Sequence, residues 1–315
     1  EGFDFGIGMS VRFFAKNRAE RDTVIQTIGP HWDGNEVWLI TAGGAMFASF
    51  PMWYASLFSG YYIVLFLILV ALIFRGVSFE FRANMQTEKW RNFWEWASTI
   101  GSFCAAFLFG MMFTSMIEGV PIDKNGDIYG TFTTYVNWFS IVGGVAVSLL
   151  CFIHGLNFLR LKTSGELRER AEKWSKILYP VLLAGEVVFV ILLYLTTDFF
   201  TRKPVSTWSI LIALVIFTLA AWWGTQSSHD WASFIASGLS LISIVVLIFN
   251  GLFPRVMIAT NSANSILIKN ASSSPYTLHL MTILTFTILP IVLIYFIWSY
   301  WVFYKRIKSP KQAVE

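Results

Sequence analysis

Charge is what this sequence has least of. Of its 315 residues, 13% are charged and 56% are hydrophobic, against about 25% charged residues in an average soluble domain. That shortage excludes an ordinary soluble fold and points to a membrane protein. Cysteine is nearly absent: Cys104 and Cys151 are the two in the chain. Each falls within an apolar run and not where an oxidising compartment would pair them, so both read as small core residues. No linker rich in Pro, Gly or Ser divides the chain, which predicts a single transmembrane helical domain over residues 1–315. The Gly-rich piece "TAGGAMFASF" lacks phosphate-loop spacing, and its Gly44 and Ala48 read as helix-packing positions.

What is present is a series of long uncharged runs, each near the roughly 20 residues that a spanning helix needs. Between Glu36 and Arg75 lie 38 uncharged residues, enough for two spans with a tight turn between Pro51 and Gly60. Further runs extend from Trp96 to Ile117, Ile128 to Leu159, Ile177 to Thr197 with Glu186 as its single interruption, Pro204 to His229, Trp231 to Pro254 and Asn270 to Tyr304. Eight complete spans result. The opening "EGFDFGIGM" reads as the end of another helix, because Gly2 and Gly6 stand four apart as close-packing residues do. The chain also begins with Glu, so nine transmembrane helices are expected, the first truncated at its N-terminal end.

Lys and Arg set the orientation. Alternate connections, together with the tail from 305, carry 18 of the 23, and the opposite set carries 5. This predicts a cytoplasmic C-terminus and an external N-terminus. The pI near 9.0 then reflects a cytoplasmic rim facing anionic lipid heads, and nucleic acid is not an expected partner. The basic connectors "GMSVRFFAKNRAERDTVI" and "GLNFLRLKTSGELRERAEKW" echo one another. Duplicated halves near 1–118 and 128–254, followed by a final helix near 276–304, would produce the echo, and so would the positive-inside rule alone. Fourteen Trp and eleven Tyr suit membrane interfaces, with Trp90, Trp94, Trp96, Trp298, Tyr300, Trp301 and Tyr304 as anchors.

Metal and haem chemistry is poorly supported within this chain. His31, His154 and His229 fall at or near the cytoplasmic side and His279 near the outer one. No pair is placed mid-membrane at one depth as axial haem ligation requires, and no Cys and His spacing matches a zinc site. The carboxylates are more informative, since an ionisable group in the bilayer costs at least about 2.5 kcal/mol and implies a pathway, a partner or a neutralised form. Glu1 and Asp4 share one face of the first helix, and Asp33 with Glu36 repeats the spacing at the start of the second. Four carboxylates therefore converge on one cytoplasmic entrance. They suit a proton or cation mouth, and equally a capping box with Asp33 as N-cap and Glu36 three residues on. Glu186, about ten residues deep, is either a hydrogen-bonded core residue or part of a relay. Arg75, Glu80 and Arg82 in "FRGVSFEFR" read as a salt-bridged collar, unless Arg75 reaches back towards Asp33.

"EGFDFGIGM", "PHWDGNEVWLITAGGAMFASFP", "FSGYYIVLFLILVALIFRGVSFEFR", "WRNFWEWASTIGSF" and "GLFPRVMIATNSANS" together resemble subunit II of the cytochrome bd family of bacterial quinol oxidases. The resemblance covers most of the chain. It implies an all-α integral membrane fold of two four-helix units plus one extra helix, in the bacterial cell membrane. It further implies a partner, subunit I, that holds two b-type haems, one d-type haem and the quinol-oxidising loop, while this chain binds no cofactor of its own. The complex would oxidise quinol, reduce oxygen to water with cytoplasmic protons and separate charge without pumping. Asp33 of "HWDGN" matches the position assigned to the proton entrance, and Asp4 of "GFDFG" and Arg75 of "RGVSFEFR" match positions near it. Glu186 has no counterpart in a family motif. Some members carry a structural quinone, for which the short 198–205 connection leaves little room, and a small single-helix subunit is a further candidate partner. The rival readings are a secondary transporter that couples an ion through the membrane carboxylates and an assembly scaffold with no transport role.

Overall fold

The apolar runs form helices, punctuated where a proline, a cap or a polar cluster interrupts them. The computed structural model describes residues 1–307. In chain order the helices are α1 (Gly2–Phe13), α2 (Arg18–Ile28), α3 (Trp32–Ser49), α4 (Pro51–Gly60), α5 (Tyr62–Asn84), α6 (Glu88–Glu118), α7 (Trp138–Lys162), α8 (Glu166–Thr196), α9 (Phe199–Arg202), α10 (Pro204–Gln226), α11 (Asp230–Leu252), α12 (Ile268–Ala271) and α13 (Pro275–Val302). A two-stranded antiparallel ribbon, β1 (Arg255–Met257) and β2 (Ile266–Leu267), pairs Arg255 with Leu267 and Met257 with Ile266. Local chemistry explains several boundaries. Pro51, Pro204 and Pro275 open their helices at the position where a missing N–H costs nothing. The Asn17 side chain caps α2 by accepting from the Glu20 amide, and Asn137 caps α7 through a reciprocal pair with Ser140.

Seven helices among the described residues are long and apolar enough to cross a membrane: α5, α6, α7, α8, α10, α11 and α13. The two spans expected beyond these correspond to α1 and α3. The first has 12 residues in this chain, and the second has 18 but opens on the polar Asp33, Asn35 and Glu36. The tight turn expected between Pro51 and Gly60 is instead a helix, α4, set off from its neighbours by Phe50 and Tyr61.

Helices α5 and α6 form one packed hairpin and α10 and α11 another. Helix α1 lies against both α6 and α7, and α7 also contacts α8 and α11. The α1–α7 crossing is backbone to backbone. A Cβ added at Gly6 would stand 2.1 Å from the Cys151 carbonyl oxygen, and one at Gly155 would stand 2.5 Å from the Gly6 carbonyl carbon, so only small residues permit the contact. A Cβ added at Gly43 or Gly44 would meet no atom of another element within 4 Å, so the packing expected of Gly44 is not made among the described residues. The largest core, including Tyr61, Met112, Met116, Phe139 and Phe199, forms where the long helices meet the 119–137 and 253–271 connections. Arg255 binds Asp198 through both terminal nitrogens at 2.7 and 2.8 Å, which holds that carboxyl below its usual range.

Helix α13 has no buried residue. It touches α3 and is tied down at its end: the Ile307 amide donates to the Lys162 carbonyl at 2.7 Å. Trp90, Trp298, Trp301 and Tyr304 are exposed, as interfacial anchors should be. Tyr300 departs from that role, because its ring stacks on His31 with centroids 4.2 Å apart. Cys104 and Cys151 are free thiols, and Cys151 is buried.

Candidate functional site

Three helices bring the polar ends of their apolar runs together. From α1 comes Asp4, from α3 come Asn35 and Glu36, and from α5 comes Arg75. Asp4 and Arg75 are completely buried. Asn35 donates through Nδ2 to Asp4 Oδ2 at 2.7 Å and accepts through Oδ1 from the Tyr300 hydroxyl at 3.0 Å. Arg75 donates through Nη1 to Glu36 Oε2 at 3.3 Å and lies 3.3 Å from Glu1 Oε2 through Nη2. Its guanidinium sits over the rings of Phe5 and Phe79, at 5.1 and 5.7 Å, a geometry that favours a cation in an apolar wall. Asp4 Oδ1 and Arg75 Nε have no hydrogen-bond partner. Three carboxyl side chains thus gather around one arginine, with the Glu1 amino group 3.9 Å from Asp4 Oδ2, and carboxyl groups still outnumber cations in the cluster.

Asp33 is placed differently. It is exposed and lines, with Glu36 and Glu80, a groove of about 560 Å³ between α3 and α5. Glu36 therefore belongs both to the groove and to the buried cluster. The capping-box reading does not hold. Helix α3 starts two residues earlier than it requires: His31 is the N-cap, with no side-chain cap bond, after a turn in which the His31 amide bonds to the Ile28 carbonyl. Asp33 falls inside the first turn, where it meets the helix dipole instead, and Glu36 turns to Arg75. Arg75 reaches back to Glu1 and Glu36, not to Asp33.

Glu186 stands apart. It is 8% exposed on α8 and accepts from Thr218 Oγ1 of α10 at 2.6 Å; Thr218 lies 3.2 Å from Ser240 Oγ of α11. Its other oxygen, Oε2, is unpartnered, and no contact joins it to Asp4 or Arg75 among the described residues.

The collar exists without Arg75. Its centre is Glu95, which the spacing of charges did not single out. Arg12 at 2.8 Å, Arg21 at 3.2 Å and Arg82 at 2.9 Å all pair with this carboxylate, itself 1% exposed; Arg82 also pairs with Asp22 at 2.7 Å. Glu80, expected in the collar, is exposed. Glu95 sits between two tryptophans in "WEW", and a lone acid inside an anchor motif is the one signal that could have found it. A second brace surrounds Asp230, which pairs with Arg160, Arg168 and Arg306, each at 2.9 Å. Arg160 continues inward to Thr225 and Asn157, and Asn157 donates to Tyr179 and Ser237.

The histidines are dispersed. His154 Nδ1 lies 2.8 Å from Ser237 Oγ, His229 stacks on Trp223, and His31 stacks on Tyr300. Burial, with the charge of Lys162 behind it, lowers His31 to about 4, so its ring is neutral at ordinary pH. Among the described residues no group of three or more His, Cys, Asp or Glu is arranged to hold a metal ion.

Comparison with known proteins gives this geometry its setting. The family model for cytochrome bd terminal oxidase subunit II matches residues 1–303. The chain is 45% identical over 309 residues to cytochrome bd ubiquinol oxidase subunit 2 of Bacillus subtilis, covering 98% of this chain and 91% of that protein. It is 35% identical over 343 residues to cytochrome bd-I ubiquinol oxidase subunit 2 of Escherichia coli K12, covering 98% and 90%. A probable cytochrome oxidase subunit 2 of Haemophilus influenzae is 34% identical over 333 residues, covering 95% and 88%. With a family match along nearly its whole length and relatives this similar over almost all of theirs, the chain belongs to the cytochrome bd terminal oxidase subunit II family.

Proposed function

We propose that this chain is the haem-free subunit of a quinol:oxygen oxidoreductase, where it supports a haem-bearing subunit I and lines a proton route from the cytoplasm. On this reading the two b-type haems, the d-type haem and the quinol site belong to the partner, and the complex sits in the bacterial cell membrane. The chain is arranged as two four-helix units, near 1–118 and 128–254, and a final helix near 276–304, making nine spans with α1 and α3 included. Its N-terminus is external and its C-terminus cytoplasmic, in keeping with 18 of 23 Lys and Arg at one end. Membership of an oxidase subunit family weighs against the secondary-transporter reading.

The buried group of Asp4, Asn35, Glu36 and Arg75 carries the proton-route proposal. It is a cluster short of cations, reached from the surface through a groove whose rim holds Asp33. A proton supplies the missing positive charge without needing space of its own. Asp33 is the point of entry, Glu36 links groove to interior, and Asp4 is the buried carrier that Asn35 holds in place. Glu186 belongs to a separate hydroxyl-lined group and serves a relay in the second unit.

The test is Asp33→Asn in the assembled oxidase, which keeps shape while removing the titratable group. Haem content should stay parental, and oxygen consumption per haem should fall, most at high pH where protons are scarce. A parental rate across the pH range, with parental haem content, would remove Asp33 from the route.

A further inference from the structure

The Asp230 brace holds more positive charge than it can neutralise. One carboxylate faces three guanidinium groups: Arg160 at 2.9 Å, Arg168 through both Nε and Nη2 at 2.9 Å, and Arg306 at 2.9 Å. Arg168 shares a second acid, Glu172, at 3.5 Å, but Lys176 pairs with that acid more closely, at 2.7 Å. Two further cations adjoin the brace. Lys162 is 8% exposed, and its ammonium donates to the Phe303 carbonyl and lies 5.6 Å from the Phe158 ring centroid. No carboxylate pairs with Lys162 or with Lys305 among the described residues. Burying a cation is costly unless an opposite charge accompanies it, and a neutral carbonyl and a ring face meet only part of that cost.

These charges surround a cavity. Lys162, Lys305 and Arg306 line an opening of about 440 Å³ between the ends of α7, α11 and α13. The remaining walls are apolar or aromatic, chiefly Phe158, Trp231, Phe234 and Tyr300. Cations and apolar wall thus meet in one site at a helix-end interface, a combination that matches a ligand with an anionic head joined to hydrocarbon.

We propose that this cavity binds the head and upper chain of one anionic phospholipid from the leaflet at the basic end of the bundle. The phosphate supplies the counter-charge that Lys162 and Lys305 lack and that Arg306 has only in an Asp230 carboxylate shared with two other arginines, Trp231 and Tyr300 flank the glycerol region, and the chains run out along the exposed faces of α11 and α13. The bound lipid also fastens the C-terminal end of α13, a helix that buries none of its residues and is otherwise tied by hydrogen bonds at Ser273 before it and Ile307 after it. The site touches the Asp4 cluster through Tyr300, whose hydroxyl donates to Asn35, but the lipid proposal does not depend on the proton-route reading.

Native mass spectrometry of the assembled oxidase, stripped of lipid and titrated with phosphatidylglycerol, phosphatidylcholine or inorganic phosphate, tests the proposal. The parental complex should retain one phosphatidylglycerol well above the background of phosphatidylcholine. The double variant Lys305→Gln, Arg306→Gln should bind it roughly thirtyfold more weakly, from about 1 kcal/mol per basic residue near anionic lipid. Lys162→Met, which keeps the apolar stem, should weaken binding in the same direction at parental haem content. Equal uptake of the two lipids, or parental affinity in the double variant, overturns the proposal. Uptake of phosphate that phosphatidylglycerol does not displace assigns the site to a free anion and overturns it as well. Uptake of lipid only after residues 308–315 are removed would give the cavity to the chain's own tail, with the same consequence.

Discussion

Two buried ionic groups in this molecule use the same side chains in opposite proportions. Around Glu95, three arginines share one carboxylate; around Arg75, the carboxyl groups of Glu1, Asp4 and Glu36 gather about one guanidinium. A carboxylate enclosed by fixed arginines has every lone-pair direction committed to them and acts as a brace between helix ends. A set of carboxyl groups with too few cations can take up and release a mobile one. Stoichiometry, more than burial, separates the part that holds the bundle together from the part suited to move protons. The Asp230 group falls on the brace side and carries its surplus positive charge to the lipid.

Removing Arg75 should have the largest effect. Arg75→Leu leaves buried carboxyl groups with no cation, and losing one partner of a buried ionic group costs about 3–5 kcal/mol. Co-purification of the two subunits should be lost, and Arg75→Lys should restore part of it. Assembly at the parental level in Arg75→Leu would mean the cluster is neutral without the arginine, and the comparison would collapse. Glu95→Gln should come next, leaving three arginines facing a neutral amide and costing about 2 kcal/mol. It should lower the thermal midpoint of the complex but leave turnover per assembled haem unchanged; a selective fall in turnover would place Glu95 on the route and not in the brace.

Smaller changes sharpen the same contrast. Tyr300→Phe removes the hydroxyl that Asn35 accepts and keeps the stack on His31, so a loss of about 1 kcal/mol is expected, seen as a modest drop in thermal midpoint. The smallest effect belongs to the partly exposed Asp198–Arg255 pair. Arg255→Gln should cost less than about 1 kcal/mol. Because Arg255 holds the Asp198 carboxyl below its usual range, the pair's contribution is complete above the unfolded value of about 4 and disappears as pH falls through the lowered folded value. Parental and Arg255→Gln complexes should therefore differ in thermal midpoint at pH 7 and converge in strong acid.

Much of the fold was legible in the spacing of charges, because a spanning helix cannot tolerate many of them. The runs that hold α5, α6, α7, α8, α10, α11 and α13 stand out for that reason, while α1 and α3, also expected as spans, are shorter or open on polar residues. The small-residue contact at Gly6 was readable because a backbone crossing needs residues without side chains. Gly44 showed the limit of that inference, since the same signal arises on a face this chain leaves open. The candidate site was half legible. A spacing of three says that Asp33 and Glu36 lie near one another on α3, but not that the first stays exposed while the second turns inward to Arg75. Pairings between distant helices, such as Glu95 with Arg12, Arg21 and Arg82 or Tyr300 with Asn35, leave no periodic trace along the chain.

Asp4→Asn in the assembled oxidase, reconstituted into liposomes, tests the central claim most directly. The substitution keeps the volume and the contact with Asn35 but removes the buried proton carrier. The expected result is parental haem spectra and thermal midpoint within about 1 kcal/mol, with oxygen consumption and the membrane potential it generates both reduced by at least about tenfold, a conservative figure for a lost proton-transfer group. Parental turnover and potential in a correctly assembled Asp4→Asn complex would contradict the claim that the Arg75 cluster carries protons.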